Sequence, residues 1–385
     1  MYFLSAIDPN YRIKGSRDPL GFQSLWSSAG HKAVKHLSTV SSNLQDFMIL
    51  CYAIHLYGDF NKPGFVKFFI KFEQVCAYAR YVHNHESSFN GTDTISKRAK
   101  IEPFYISLAD SILSNQRTYG IYGKYIRPLR DMGIVNDSEF HSTMQKALSK
   151  SDEHAIRSLS IRLMDNDNSR VVVNKEDLIP FANLLKTVIP EEKTIYQDYI
   201  LKTNDLEHPQ NNLFEVVSSN PDFSKADFNL HHLISTILSA QQTNDDLKRA
   251  LINIDNTDKV LHPLNVIFTN LLSRSYWTYQ EVESDELFNQ LPRSVPFDFQ
   301  DEQLREINQF LELSTIDLIR AVVKRNSDIC KARGNSAWIE EDKQGFRVLY
   351  GENGKRITNV DNELQYEFPY FLNNYLNLYR QIESV

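Results

Sequence analysis

The stretch from Phe65 to Val82 constrains the fold of this chain more than any other. Its apolar residues recur at intervals of three and four, at Phe65, Phe68, Phe69, Phe72, Val75, Cys76, Ala79 and Val82. Such spacing places apolar side chains around much of one helix. The pattern predicts a buried α-helix that forms the spine of the N-terminal portion.

Composition extends this prediction to a mainly α, multi-helical fold. Hydrophobic residues make up 42% of the 385 residues, which is enough for a packed interior. Glycine and proline number only 13 each, too few for the many tight turns of an all-β chain. One strand signal stands out near the C-terminus, where Trp338–Glu341 and Phe346–Tyr350 flank a polar turn and predict a small β-hairpin.

Part of the N-terminal portion has a second type of pattern. From Thr118 to Val135 a short helical segment ends at Gly133 and is followed by the apolar pair Ile134 and Val135. This order resembles the helix-turn-helix part of a winged-helix module. The resemblance covers about 30 residues at most and implies a DNA-binding element.

Polar breaks and turn formers divide the chain into three predicted domains. These are a basic helical domain at 1–150, an acidic helical domain at 151–297 and a C-terminal helix, hairpin and helix segment at 298–385. The proline-containing stretch Pro292–Pro296 is the predicted linker. Further helix breaks are predicted at 165–169, 203–212 and 253–258, and one long amphipathic helix at Asp301–Ala332.

Charge is distributed unevenly along the chain. Met1 to Val135 contains 16 Lys and Arg against 10 Asp and Glu, whereas the remainder contains 26 against 39. The first portion therefore carries about +6 and the rest about −13. This asymmetry indicates a polyanion-facing end and an acidic end that contacts proteins, although clustering on solvated helix faces gives the same counts.

The strongest polyanion-binding pattern lies between residues 117 and 130. Its cations alternate with Tyr119, Tyr122 and Tyr125, and such tyrosines offer stacking faces or hydrogen bonds beside phosphate-neutralising side chains. A basic N-terminal loop could add a flexible clamp. The predicted nucleic-acid-binding residues are Arg12, Lys14, Arg17, Arg117, Tyr122, Lys124, Arg127 and Arg130. The alternative is an ordinary amphipathic helix with core tyrosines and solvated cations.

Arg80 and His85 supply a first enzymatic alternative. Their spacing resembles the Arg-x4-His motif of HEPN ribonucleases. The resemblance implies that Arg80 stabilises phosphate charge and that His85 acts as the acid or base. The sequence departs from the family at Tyr81, where a polar residue usually follows the arginine. Histidines favoured by the dipole at a helix C-terminus explain the same residues.

A second enzymatic alternative involves three residues near the hairpin. Glu341 and Lys343 match part of the motif of PD-(D/E)xK nucleases, with Asp328 as the upstream carboxylate. The resemblance implies that two carboxylates hold Mg²⁺ and that the lysine orients water. A helical position for Asp328 and a turn position for Lys343 argue for solvated residues instead.

The sequence predicts neither a cofactor nor a metal site. Cys51, Cys76 and Cys330 lie outside any metal-binding spacing, and the histidine groups lack a complete ligand set. No stretch reaches the roughly 20 apolar residues needed to span a bilayer, and the N-terminus lacks a basic signal region. These features predict a cytoplasmic protein that does not contact membranes.

Taken together, these features predict an auxiliary subunit of a larger bacterial-type complex. Its basic portion would contact nucleic acid, DNA in preference to RNA, and its acidic portion would contact protein partners. Genome defence or DNA processing is the predicted setting. The prediction favours a non-enzymatic role, and a nuclease using Arg80 and His85, or Asp328, Glu341 and Lys343, is the alternative.

Overall fold

The computed structural model describes residues 18–165, 169–224, 229–291, 295–350 and 368–385. Within these ranges the chain is mainly helical and forms small antiparallel sheets, which confirms the predicted fold class at this level. The N-terminal cations Arg12, Lys14 and Arg17 lie outside the described residues. The predicted linker Pro292–Pro296 also lies partly outside them.

The helices and strands follow one another in chain order. The α-helices are α1 Gln23–His31, α2 Leu44–Tyr57, α3 Phe65–Val82, α4 Thr92–Arg98, α5 Gln116–Tyr119, α6 Ile121–Met132, α7 Phe140–Ser149, α8 Glu153–Asp165, α9 Lys175–Lys186, α10 Pro190–Tyr196, α11 Pro209–Ser219, α12 Leu230–Ser239, α13 Asp245–Leu271, α14 Tyr279–Ser284, α15 Glu286–Gln290, α16 Glu302–Phe310, α17 Thr315–Ala332 and α18 Leu372–Glu383. The strands are β1 Phe104–Ile106, β2 Val171–Val173, β3 Tyr276–Thr278, β4 Ile339–Glu341 and β5 Gly345–Val348.

These elements belong to two compact units that are each assembled from separate stretches. The first unit lies within Met1–Ala33, Asn229–Ser239 and Asp245–Tyr370. The second unit lies within Val34–Phe228, Ala240–Asn244 and Phe371–Val385. The three predicted domains run consecutively along the chain and follow other boundaries. Local composition indicates where the charge changes and where helices are interrupted. The bounds of a compact unit depend instead on which distant helices pack together.

Helix α3 occupies the core of the second unit. The side chains of Phe65, Phe68, Phe69 and Phe72 are all buried, as the apolar spacing predicted. The same helix also buries polar residues, namely Lys71, Glu73, Gln74 and Arg80. Since a buried polar group is costly without a partner, these residues determine which elements can pack against α3.

In the first unit, α13 runs through a predicted break at residues 253–258. The helix continues because its polar residues there find partners. Asp255 contacts His231 and Lys259 at 3.2 and 2.5 Å, and the buried Asp258 accepts a hydrogen bond from the Tyr370 hydroxyl at 3.1 Å. A polar run is therefore compatible with a helix interior when tertiary contacts satisfy each side chain.

The predicted long helix at Asp301–Ala332 is instead two helices, α16 and α17. The chain leaves the helical path after Phe310, and Ser314 begins the next helix by accepting a hydrogen bond from the Asp317 backbone at 3.3 Å. Serine at this position satisfies a free backbone N–H group at a helix start. The Ser314 cap is the local signal that marks the boundary.

A three-stranded antiparallel sheet in the order β3-β5-β4 completes the first unit. Strands β4 and β5 lie in the region of the predicted hairpin, and β3 was not predicted. Trp277 of β3 pairs with Phe346 of β5, and both side chains are buried. A side chain at Gly345 would approach the Trp277 carbonyl oxygen to 1.9 Å, so this pairing requires glycine.

We expect Phe346→Ala to destabilise the protein by about 3–5 kcal/mol, because it removes a fully buried aromatic ring from the sheet. Equilibrium denaturation followed by circular dichroism measures the change in the free energy of unfolding. Leu349→Ala is the matched control, since that side chain is 38% exposed and should cost about 1 kcal/mol or less. Equal losses in the two variants would contradict the packing described for Phe346.

Candidate nucleic-acid interface

Helix α6 presents its basic residues and its apolar residues on opposite faces. Successive residues of a helix are about 100° apart, so Lys124, Arg127 and Arg130 cover about 120° of its circumference. The buried residues on the other face are Ile121, Tyr125, Ile126, Pro128, Leu129 and Met132. The basic residues therefore share one side of α6.

The cations differ in their surroundings. Arg117 of α5 is exposed and forms no ion pair with a described residue. The Arg127 side chain is 87% exposed and contacts Asp131 at 3.5 Å, a surface pair that contributes little to stability. The Arg130 guanidinium lies 5.3 Å from the centre of the Phe60 ring and is solvent-exposed. These three arginines are available to a ligand.

Lys124 has a different position from the three arginines. It is half-buried, and its charge lowers the pKa values of the buried carboxyls of Asp46 and Glu73. In both carboxyls burial is the larger effect and raises the pKa. Lys124 thus contributes positive charge to the face of α6 and also compensates acidic groups beneath it.

The tyrosines of this segment divide between the core and the surface. The Tyr125 ring packs edge-on against Phe47 at 4.8 Å, and its hydroxyl accepts a hydrogen bond from the Asn43 backbone. Tyr122 packs against Phe65 and Phe69 of α3. Tyr122, the predicted stacking residue, is half-buried, whereas the neighbouring Tyr119 is 49% exposed.

Two glycines fix the junction between α5 and α6. A side chain at Gly123 would approach the Thr118 carbonyl oxygen to 2.1 Å. At Gly120 it would meet the Gln116 carbonyl oxygen at 2.4 Å and the Glu73 carboxylate at 2.7 Å. The backbone of α5 therefore packs directly against the start of α6, which only glycine at these two positions permits.

Glu73 of α3 holds this junction from below. Its carboxylate accepts hydrogen bonds from the Ile121 backbone and from the Gln116 side chain, each at 2.8 Å. Ile121 is the first residue of α6, so a carboxylate satisfies a free N–H group at the positive end of the helix. Burial raises the pKa of Glu73 to about 7 from its ordinary 4.5, although both hydrogen bonds oppose that rise.

Arg80 lies in a buried ionic cluster next to this site. It is 2% exposed, and its guanidinium contacts Asp46 at 3.1 Å and Glu86 at 2.7 Å. A cavity of about 10 Å³ beside Arg80, Asp46 and Glu73 has room for about one water molecule. Arg80 is therefore engaged inside the protein and has no open approach for a phosphate.

His85 lies in a separate place from the Arg80 guanidinium. It is exposed and lines a surface pocket of about 370 Å³ together with Tyr81, Glu86 and Lys175. Arg80 does not line that pocket. The structure thus does not bring Arg80 and His85 to one accessible site, as the ribonuclease resemblance requires.

The three residues of the other nuclease alternative belong to the first unit. Glu341 accepts hydrogen bonds from Arg320 and Tyr279 at 2.7 and 2.8 Å. Asp328 is exposed on α17, more than two helical turns beyond Arg320, and Lys343 is exposed in the turn between β4 and β5. No ion pair or hydrogen bond joins these three side chains within the part of the chain that the structure describes.

The described ranges also bear on metal binding and on membrane insertion. No group of three or more His, Cys, Asp or Glu side chains there is arranged to hold a metal ion. No helix in these ranges combines the length and apolar character needed to cross a membrane. The three cysteines are buried free thiols.

Comparison with known proteins returns no match to a family model, to a curated protein or to a solved structure.

Sequence reasoning missed the residues that support the basic face. Glu73 and Gln116 lie on different helices and are separated by more than 40 residues, so no local motif joins them. The sequence signal for these contacts was the presence of two polar residues, Glu73 and Gln74, within the apolar pattern of α3. Such residues are costly to bury without partners, and they mark positions where a second element must supply hydrogen bonds.

We expect Glu73→Gln to change the pH dependence of stability. The folded-state pKa of about 7 exceeds the ordinary 4.5, so the folded protein binds this proton more tightly than the unfolded chain does. This carboxyl therefore makes folding less favourable as the pH rises from about 5 to about 8. Over that range the variant should gain stability relative to wild type, by up to about 3 kcal/mol.

Denaturation at a series of pH values measures this difference. The hydrogen bond to Gln116 that Glu73→Gln loses adds a constant offset, which does not affect the trend with pH. Glu139→Gln, at an exposed position on the same unit, is the control for the loss of a surface carboxylate. A difference between Glu73→Gln and wild type that stays constant with pH would contradict a shifted pKa.

Proposed function

We propose that the protein is a nucleic-acid-contacting subunit and that the basic face of α5 and α6 is its contact surface. The observation that carries this proposal is the exposure of Arg127 and Arg130 on the side of α6 away from its buried residues, with Arg117 exposed on the adjoining α5. Their charges are weakly compensated, since Arg127 alone of the three has an ion-pair partner among the described residues. Such arginines suit phosphate oxygens.

The chemistry of this face favours backbone contact over base reading. Arginine side chains neutralise phosphates and release counterions, which gives affinity that depends on salt and little on sequence. Helix α6 is about 18 Å long, which matches several successive phosphates of one strand. The face would therefore position nucleic acid without selecting a sequence.

DNA remains the preferred ligand in this proposal, with RNA as the alternative in the same assay. The resemblance of Thr118–Val135 to the helix-turn-helix part of a winged helix supports this preference. Helices α5 and α6 and a 3-10 turn at Ile134–Asn136 cover that segment, and α7 begins directly afterwards at Phe140.

Protein contacts are the second part of the proposal. Residues after Val135 carry 26 Lys and Arg against 39 Asp and Glu, and an acidic surface suits basic partners more than nucleic acid. An auxiliary role in a larger bacterial-type assembly for genome defence or DNA processing is the setting that we infer from this division of charge.

We expect Arg117→Gln, Arg127→Gln and Arg130→Gln, combined in one variant, to weaken binding to duplex DNA, single-stranded DNA and RNA alike. Fluorescence anisotropy between about 50 and 200 mM salt gives the slope of log K against log salt. Each lost phosphate contact should flatten that slope by about 0.9 on duplex DNA, so the variant should differ from wild type by roughly 2–3.

The matched control replaces three exposed lysines of the same unit, Lys97, Lys100 and Lys186, with Gln. It removes the same charge from other places and should keep most of the wild-type slope. Equal flattening of the salt dependence in both variants would show that net charge causes the effect. That result would contradict a defined contact surface on α5 and α6. Wild-type protein that binds no nucleic acid at low salt would reject the proposal, and cleavage with or without Mg²⁺ would favour the nuclease alternative.

A further inference from the structure

Tyr119 presents an aromatic ring to solvent beside the exposed arginines of the second unit. It is the last residue of α5 and is 49% exposed. Tyr122 and Tyr125 of α6, by contrast, pack against rings of α3 and α2. Among the described residues, no other ring and no cation stacks on Tyr119. About half of its surface is therefore open to a ligand.

The backbone that carries Tyr119 is fixed from below by Gln116. This buried residue of α5 donates hydrogen bonds to the Ile70 carbonyl at 2.9 Å and to the Glu73 carboxylate at 2.8 Å. It also accepts a hydrogen bond from the Ile112 backbone at 3.2 Å. A ring on a fixed backbone loses less conformational freedom on binding than a ring on a mobile loop, so more of the contact free energy contributes to affinity.

Gly123 places α5 on the side of α6 that carries exposed arginines. Successive residues of a helix differ by about 100°, so Gly123 lies about 40° from Arg127 and about 20° from Arg130 around the axis. The Thr118 carbonyl packs against this glycine, since a side chain at Gly123 would approach its oxygen to 2.1 Å. Thr118 directly precedes Tyr119, so Tyr119 belongs to the same surface as the two arginines.

An exposed ring among cations distinguishes between forms of nucleic acid, which cations alone do not. Every form has phosphates, so arginines bind duplexes and single strands alike. A base stacks on a side chain only when it is unpaired or displaced from the helix, because neighbouring bases cover both its faces inside a duplex. Aromatic side chains between cations are typical of single-strand binding, and such stacking tolerates any sequence because every base has a π-face.

We propose that the basic face of α5 and α6 binds single-stranded DNA, with an unpaired base stacked on Tyr119 and the flanking phosphates on Arg117 and Arg127. This inference rests on the function proposed above and specifies the form of its ligand. Arg130 adds charge further along α6, where its guanidinium lies 5.3 Å from the centre of the Phe60 ring. The face thus holds an extended strand by its phosphates and by one base.

Fluorescence anisotropy on the full chain tests the proposal with three ligands: a DNA single strand, its duplex, and the same strand with abasic sites at successive positions. Tyr119→Ala should weaken binding to the single strand at least about fivefold, because it removes one stacked base. Duplex binding and the slope of log K against log salt should not change, since the variant loses no charge. Tyr119→Phe keeps the ring and should bind as wild type does. Wild-type protein should bind the abasic strand as weakly as Tyr119→Ala binds the intact one.

Tyr105→Ala is the matched control, because Tyr105 is 45% exposed on strand β1 of the same unit and should leave single-strand binding unchanged. Unchanged single-strand binding in Tyr119→Ala would overturn the stacking proposal, while a flattened salt slope in the triple arginine variant would still support the basic face. Equal weakening on single strand and duplex would also overturn it, because a displaced α5 affects both ligands. Wild-type protein that binds no nucleic acid at low salt would reject both proposals.

Discussion

The Glu73 carboxylate is the interaction on which the arrangement of the second unit depends most. It is buried in α3 and accepts its hydrogen bonds from Ile121 and Gln116. A buried charge of this kind destabilises the protein unless donors meet it. The start of α6 is thus tied to α3, and the orientation of the basic face follows from that connection.

Other buried polar groups of α3 act in the same way on other elements. Each one reaches a different partner, so that the helix determines the position of several neighbours. These contacts are Lys71 to the Leu163 carbonyl, Gln74 to the Ser107 carbonyl and Arg80 to Asp46 and Glu86. Apolar packing gives α3 its stability, and its polar contacts specify which elements lie beside it.

Much of the fold and part of the site could be predicted from local pattern. The spacing of apolar residues predicted α3, and the spacing of the cations predicted a common face on α6. Prediction failed where distant residues decide the outcome. The strand β3 is three residues long and depends on its pairing with β5. Helix α13 continues through a polar stretch because Tyr370 and His231 form contacts with its buried and half-buried aspartates.

We propose that the protein contacts nucleic acid through the exposed face of α5 and α6. Hydrogen–deuterium exchange with and without a duplex DNA oligonucleotide tests it directly, because bound phosphates shield the backbone and restrict its opening. We expect slower exchange concentrated in residues 116–132, with little change in the sheet of the first unit. Protection confined to other segments, with binding established in the same sample, would contradict it.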